Sequence, residues 1–172
     1  MSAFDDAFES TVKLEAASGD RAAYGITEAV ARKEGYTGAM SDLPLETAKT
    51  IYLDRYWKPL RLEAIAEVSQ PLALKLFDTG VNMGIGTAAK FLQRSLNALN
   101  QQQADYPDMT VDGAIGPKTV TALRAFIDKR KPLGETVLLK AISSLQGARY
   151  IEIAESRDQN EKFIFGWLAN RV

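Results

Sequence analysis

Two residue types, cysteine and histidine, are missing from all 172 positions. Without cysteine there is no disulfide, no thiolate nucleophile and no cysteine-ligated metal. Without histidine the Ser-His and Cys-His nucleophile pairs, the common zinc sites and the ordinary neutral-pH base are excluded. Any proton transfer must therefore fall to carboxylates, and neither a cofactor nor a metal is expected. An excess of one charge is missing as well. The 21 basic and 22 acidic residues leave a net charge of -1 with no long run of either sign, so nothing draws the chain to nucleic acid or to an anionic bilayer. No apolar run is long enough to span a membrane, and Met1 to Asp6 show neither the basic region nor the apolar run of a leader. The expectation is a protein made in the cytoplasm, with no nucleic-acid partner and no membrane insertion.

What is present suits one domain: hydrophobic residues make up 46% of the chain, enough for one sizeable core at this length. Ser2 with Asp5 resembles a capping box and predicts a helix from about Ala3 to about Ala16. Thr27 caps a second helix that Gly35 closes. Pro44 opens a third, running to Tyr56 and Trp57 before Pro59 stops it. A short helix over Leu62 to Val68 and a buried one over Leu72 to Thr79 follow, punctuated by Gly80, Gly84 and Gly86. Beyond these come a helix bearing Ala88 to Leu99, a polar loop over Gln101 to Asp108, and helices beginning near Pro117 and Glu135. A closing helix is expected to turn Phe163, Ile164, Trp167 and Leu168 inward. The only strand-like stretch is a minimal hairpin around Gly19 to Tyr24. The predicted architecture is a mainly α single globule.

Glu15 shares a helical face with Phe8 and Phe4, which predicts a carboxyl turned towards the core. Desolvation keeps such a group protonated to higher pH, as a general acid near neutrality requires. The alternative is a solvated helix-end glutamate, or one paired with Lys13 or Arg21. Tyr56 and Trp57 offer flat rings with polar tips for a sugar, or simply pack the core. Asp78 and Asn82 lie one turn apart, where unpaired buried polar groups would cost about 1–3 kcal/mol each. Their partner is either the backbone of the glycine turn or a substrate hydroxyl or acetamido group. Asp112, Gly113, Pro117 and Thr119 read as a turn leading into a helix.

Several stretches, in this order, resemble glycoside hydrolase family 108, the lysozyme-like N-acetylmuramidases of bacteriophages and prophages. They are Tyr24-Gly-Ile-Thr27, Tyr52 with Tyr56-Trp57, Phe77-Asp78 with Val81-Asn82 and Gly84, and Leu92-Gln93. Asp112-Gly113, Gly116-Pro117, Thr119, Arg149-Tyr150, Gly166-Trp167 and Arg171 are similar to the family's peptidoglycan-binding type C-terminal part. The resemblance implies a lysozyme-like helical fold that cleaves the glycan strand of bacterial peptidoglycan, with the glutamate ending the first helix as general acid. It divides the chain into a catalytic region, 1–100, and a peptidoglycan-binding helical part, 101–172, packed as one globule. Family members usually follow the glutamate with two glycines and a longer loop bearing an aspartate and a threonine. Here Ala16 and Ala17 follow Glu15, the loop is several residues shorter, Ala22 aligns with the threonine, and Asp20 is the one nearby carboxylate.

The implied function is that of a phage-type endolysin. Glu15 and Asp20 are the candidate catalytic carboxylates, and Tyr24, Thr27, Tyr56, Trp57, Asp78 and Asn82 the candidate substrate-binding residues. Its partners would be peptidoglycan and a holin or other membrane-permeabilising protein that gives access to the wall, and it would act as a monomer. The alternatives are an inactive wall-binding or secretion-assisting module, or a lytic transglycosylase working with a single acid.

Overall fold

The capping box forms as the spacing predicts. Ser2 Oγ accepts the Asp5 N–H at 3.1 Å and donates to Asp5 Oδ2 at 2.8 Å, which also accepts the Ser2 N–H, and α1 (Ala3–Ala17) starts there. The computed structural model describes residues 2–17 and 23–172, with side chains described for 2–13 and from 23 onward. Asp20 and most of the predicted Gly19 to Tyr24 hairpin therefore lie outside the described residues. Its end, Ala23–Gly25, is one tight turn with left-handed backbone at Tyr24 and Gly25. Thr27 caps α2 (Glu28–Lys33) by accepting the Val30 N–H at 3.3 Å.

Pro44 is the N-cap of α3 (Leu45–Tyr52). The backbone then widens into a π turn, Leu53–Trp57, which the Lys58 N–H closes on the Leu53 carbonyl. With more than four residues per turn, this wide turn rotates position 57 to the side occupied by Tyr52. Trp57 thereby enters the core. It meets Phe4 and Phe77 edge-on, with centroids at 5.5 and 5.8 Å, and Phe8 meets Tyr52 the same way at 5.3 Å. Such pairs contribute about 0.5–1.5 kcal/mol each beyond their buried area.

After α4 (Leu62–Ala66), Ser69 and Pro71 start α5 (Gln70–Met83). This helix runs past the predicted stop at Thr79. Gly80 does not end it but lets Leu60 approach, because a Cβ there would sit 2.8 Å from Leu60 Cδ1. The break comes at Gly84, whose φ of +94° suits glycine. There α6 (Ile85–Ala98) begins.

In α6, the buried Gln93 clamps the next loop. Its amide donates to Asp112 Oδ1 and the Ala114 carbonyl and accepts the Gly113 N–H. The Gln93 bond, helped by the Ala114 N–H, holds the Asp112 carboxyl below the usual range. The helices α7 (Pro117–Lys129), α8 (Gly134–Ser156) and α9 (Glu161–Arg171) complete the chain. Among the described residues there is no strand, so the fold is a mainly α single globule. No helix there is long and apolar enough to cross a membrane. The expected inner face of α9 is only partly realised. Trp167 stacks on Tyr150 at 5.1 Å, but Phe163 and Leu168 remain exposed. Apolar residues surround this helix on most sides, so spacing alone does not pick out a buried face.

Candidate active site

A cleft of about 250 Å³ opens between the turn after α1, the α3 segment and the end of α5. It is lined by Gly25, Ile26, Thr27, Val30, Ile51, Tyr52, Tyr56, Val81 and Asn82. Three expected binding residues meet here: Thr27, Tyr56 and Asn82. Thr27 is exposed but spends its hydroxyl on the α2 cap. Tyr56 is half-buried at the cleft wall, its ring against Tyr52 and Phe77. Asn82, in the last turn of α5, accepts the Tyr150 hydroxyl proton at its Oδ1. Its amide N–H₂ makes no hydrogen bond among the described residues.

Tyr24 stands at the rim of an adjoining hollow with Ala23, Ile26, Glu28, Met40, Ser41 and Leu43, and Ile26 is common to both cavities. Its backbone is left-handed, φ 55° and ψ 28°, a conformation costing a side-chain-bearing residue about 1–2 kcal/mol. The Tyr52 hydroxyl holds that backbone by donating to the Tyr24 carbonyl at 2.9 Å. Tyr52 thus joins three parts of the site: the Tyr24 turn, the cleft wall and, through Phe8, the face of α1.

Along that face Phe8 and Thr11 are buried, and position 15 follows Thr11 by one turn and Phe8 by two. The Glu15 side chain lies outside the described ones. So does all of Asp20.

Trp57 and Asp78 do not line the cleft. Trp57 is 3% exposed, and its indole N–H donates to Glu63. The π turn that carries it inward makes it a core residue, so it is not the sugar platform that the sequence allowed. Asp78 is turned towards α9. It accepts from the Arg171 guanidinium, and Lys75 donates to the Arg171 carbonyl. Burial pushes the Lys75 ammonium below its ordinary value, against a smaller opposing pull from Asp78.

The same end of α9 also reaches α1, where Asn170 shares a surface hollow with Asp6, Glu9, Ser10 and Lys13. Tyr52, Tyr150 and Arg171 are the site's contributors that sequence reasoning did not assign to it. Tyr52 shows in the sequence beside Tyr56 and Trp57, in one of the stretches noted above, but with no role of its own. The other two lie 68 and 93 residues from their partners, beyond any local periodicity. Among the described residues no cluster of three or more acidic groups could hold a metal ion.

Residues 10–84 match the family model described as Glycosyl hydrolase 108. Residues 87–172 match the one described as Predicted Peptidoglycan domain. The two segments meet near the Gly84 break between α5 and α6. No match is found among curated proteins.

Proposed function

We propose that this chain, with residues 10–84 matching Glycosyl hydrolase 108 and residues 87–172 matching a Predicted Peptidoglycan domain, is a glycoside hydrolase acting on peptidoglycan, and specifically an N-acetylmuramidase of the phage endolysin type. The observation supporting this reading is the cleft between the Gly25–Thr27 turn, the α3 segment and the end of α5. Its walls combine the half-buried ring of Tyr56 with the amide of Asn82, whose nitrogen makes no hydrogen bond among the described residues. Aromatic faces suit the C–H surface of a sugar, and an amide suits its acetamido and hydroxyl groups.

In this mechanism Glu15, closing α1, protonates the bridging oxygen of the glycan as the bond to the anomeric carbon breaks. Asp20 is the second carboxylate, which stabilises the oxocarbenium ion, attacks it or activates water. Tyr24 and Thr27 position the sugar at the rim, Tyr56 and Asn82 deeper in the cleft. The protein is made in the host cytoplasm and reaches the wall as a monomer once a holin or similar protein has permeabilised the membrane.

The test is clearing of outer-membrane-permeabilised cells by the wild type and by Glu15→Gln, followed by mass spectrometry of the released muropeptides. Clearing that Glu15→Gln abolishes, with reducing ends in the products, is expected. Anhydro sugars would point instead to a transglycosylase using a single acid. Equal and negligible clearing by both proteins would leave a wall-binding module, the reading that Ala16 and Ala17 favour. Alanine does not readily adopt positive φ or let a sugar approach the backbone as glycine does.

A further inference from the structure

We infer that Tyr150 is a positioning residue for the cleft, fixing the Asn82 amide so that its N–H₂ faces an acceptor oxygen of an N-acetylated sugar. This rests on the reading of Asn82 as a glycan contact. The argument begins with proton direction. A phenol has one proton, and the Gln146 amide nitrogen donates to the Tyr150 oxygen at 3.4 Å. The phenol proton is then used on Asn82 Oδ1, and an amide whose oxygen is held in this way turns its nitrogen the other way. Asn82 lines the cleft, and its nitrogen has no protein partner among the described residues.

The support is rigid. Tyr150 is 1% exposed, its ring stacked on Trp167, which stacks on Phe163 at 5.8 Å. Gln146 is wholly buried, and its Oε1 has no hydrogen-bond partner among the described residues. Leaving an acceptor unpaired costs about 1–3 kcal/mol, so the arrangement favours the direction of the chain of donors over stability. The group it selects is an acetamido carbonyl, the strongest uncharged acceptor on the glycan. Gln146, Tyr150 and Trp167 all lie in the segment matched to the peptidoglycan domain, whereas Asn82 lies in the hydrolase segment. The C-terminal half thus sets the aim of a donor in the catalytic half.

The experiment is a double-mutant cycle with Asn82→Ala, Tyr150→Phe and both together. Muropeptide release would be measured on native peptidoglycan and on peptidoglycan chemically stripped of its acetyl groups. In parallel, retention of each variant on insoluble wall in a Glu15→Gln background gives a readout that needs no cleavage. Tyr150→Phe keeps the ring stacked on Trp167 and removes only the hydroxyl. Each single variant is expected to lose about tenfold on the native wall, the equivalent of about 1.4 kcal/mol, in release or in retention. The pair should lose no more than Asn82→Ala alone, and on the stripped wall the variants should fall within about twofold of the wild type. If Asn82→Ala changes neither readout, the glycan role of Asn82 is wrong. If Asn82→Ala weakens both while Tyr150→Phe is silent, fully additive, or equally damaging on the stripped wall, only the positioning role is overturned.

Discussion

The guanidinium of Arg171, in the last turn of α9, pairs with the carboxylate of Asp78 at the middle of α5, 93 residues earlier. Both side chains are almost entirely buried, at 6% and 13% exposure. Lys75 donates to the Arg171 carbonyl and so fixes the same turn of backbone. Breaking a buried ion pair by removing one member costs about 3–5 kcal/mol, because the desolvation of the remaining charge is less fully compensated. Arg171→Ala should therefore lower the melting temperature by roughly 10 °C, at about 2–4 °C per kcal/mol for a chain of this size. Combining Asp78→Leu with Arg171→Met should cost less than the two single changes added together. Calorimetry of the four proteins checks this. Additive losses would mean that the pair does not act as a unit.

Tyr52→Phe removes the hydroxyl that holds the Tyr24 backbone. Losing one such hydrogen bond costs about 1 kcal/mol and should lower the melting temperature by about 2–4 °C. Wall cleavage should fall further than this change in stability accounts for, because the left-handed turn at Tyr24 forms one wall of the adjoining hollow. Cleavage measured well below the melting temperature separates the two effects. An unchanged rate would detach Tyr52 from the site.

Asp5 gives a pH dependence. The Lys49 ammonium beside it, then the Ser2 hydroxyl and N–H, lower its carboxyl from 3.8 to about 2. A depressed carboxyl stabilises the fold above its unfolded value and loses that contribution as pH falls through the folded one. The stability gap between wild type and Asp5→Ala should therefore be constant above about pH 4 and close between pH 4 and pH 2. Urea unfolding across pH 2–6 reads it directly. A gap that persisted at pH 2 would show that the capping geometry, not the charge, supports α1.

The loop after α6 contains three consecutive left-handed residues, Gln101, Gln102 and Gln103, with φ of 53°, 58° and 66°. Gln101 donates to Asp105, and the Gln103 side chain accepts the Asp108 N–H. Among the described residues no such bond ties the Gln102 side chain. Gln102→Gly should therefore relieve about 1–2 kcal/mol of backbone strain, partly offset by about 0.4–1 kcal/mol of extra freedom in the unfolded chain. A rise of about 1–3 °C in melting temperature is expected. A fall would mean that the side chain makes a contribution its hydrogen bonds do not show.

Local chemistry made most of the helices legible. Ser2 with Asp5, Thr27, Pro71 and Pro117 act within a few residues of themselves, and each begins a helix as its type dictates. Gly80 misleads because its role is steric contact with Leu60, which spacing reads as a stop. Trp57 misleads because a π turn changes the helical phase of one residue, and no regular periodicity anticipates that. The Thr27, Tyr56 and Asn82 grouping was readable from short motifs. The partners of Asp78 and Asn82 were not, since Arg171 and Tyr150 reach them only through the packing of α8 and α9 on α5.

The bonds from Tyr150 to Asn82 and from Arg171 to Asp78 cross the boundary between the two matched segments. A chimaera joining this hydrolase segment to a foreign wall-binding segment would leave Asp78 and Asn82 facing whatever residues the donor supplied. Recombination at Gly84 should then succeed only between parents that bring matching halves of both contacts, so the two segments should be exchanged as a single block.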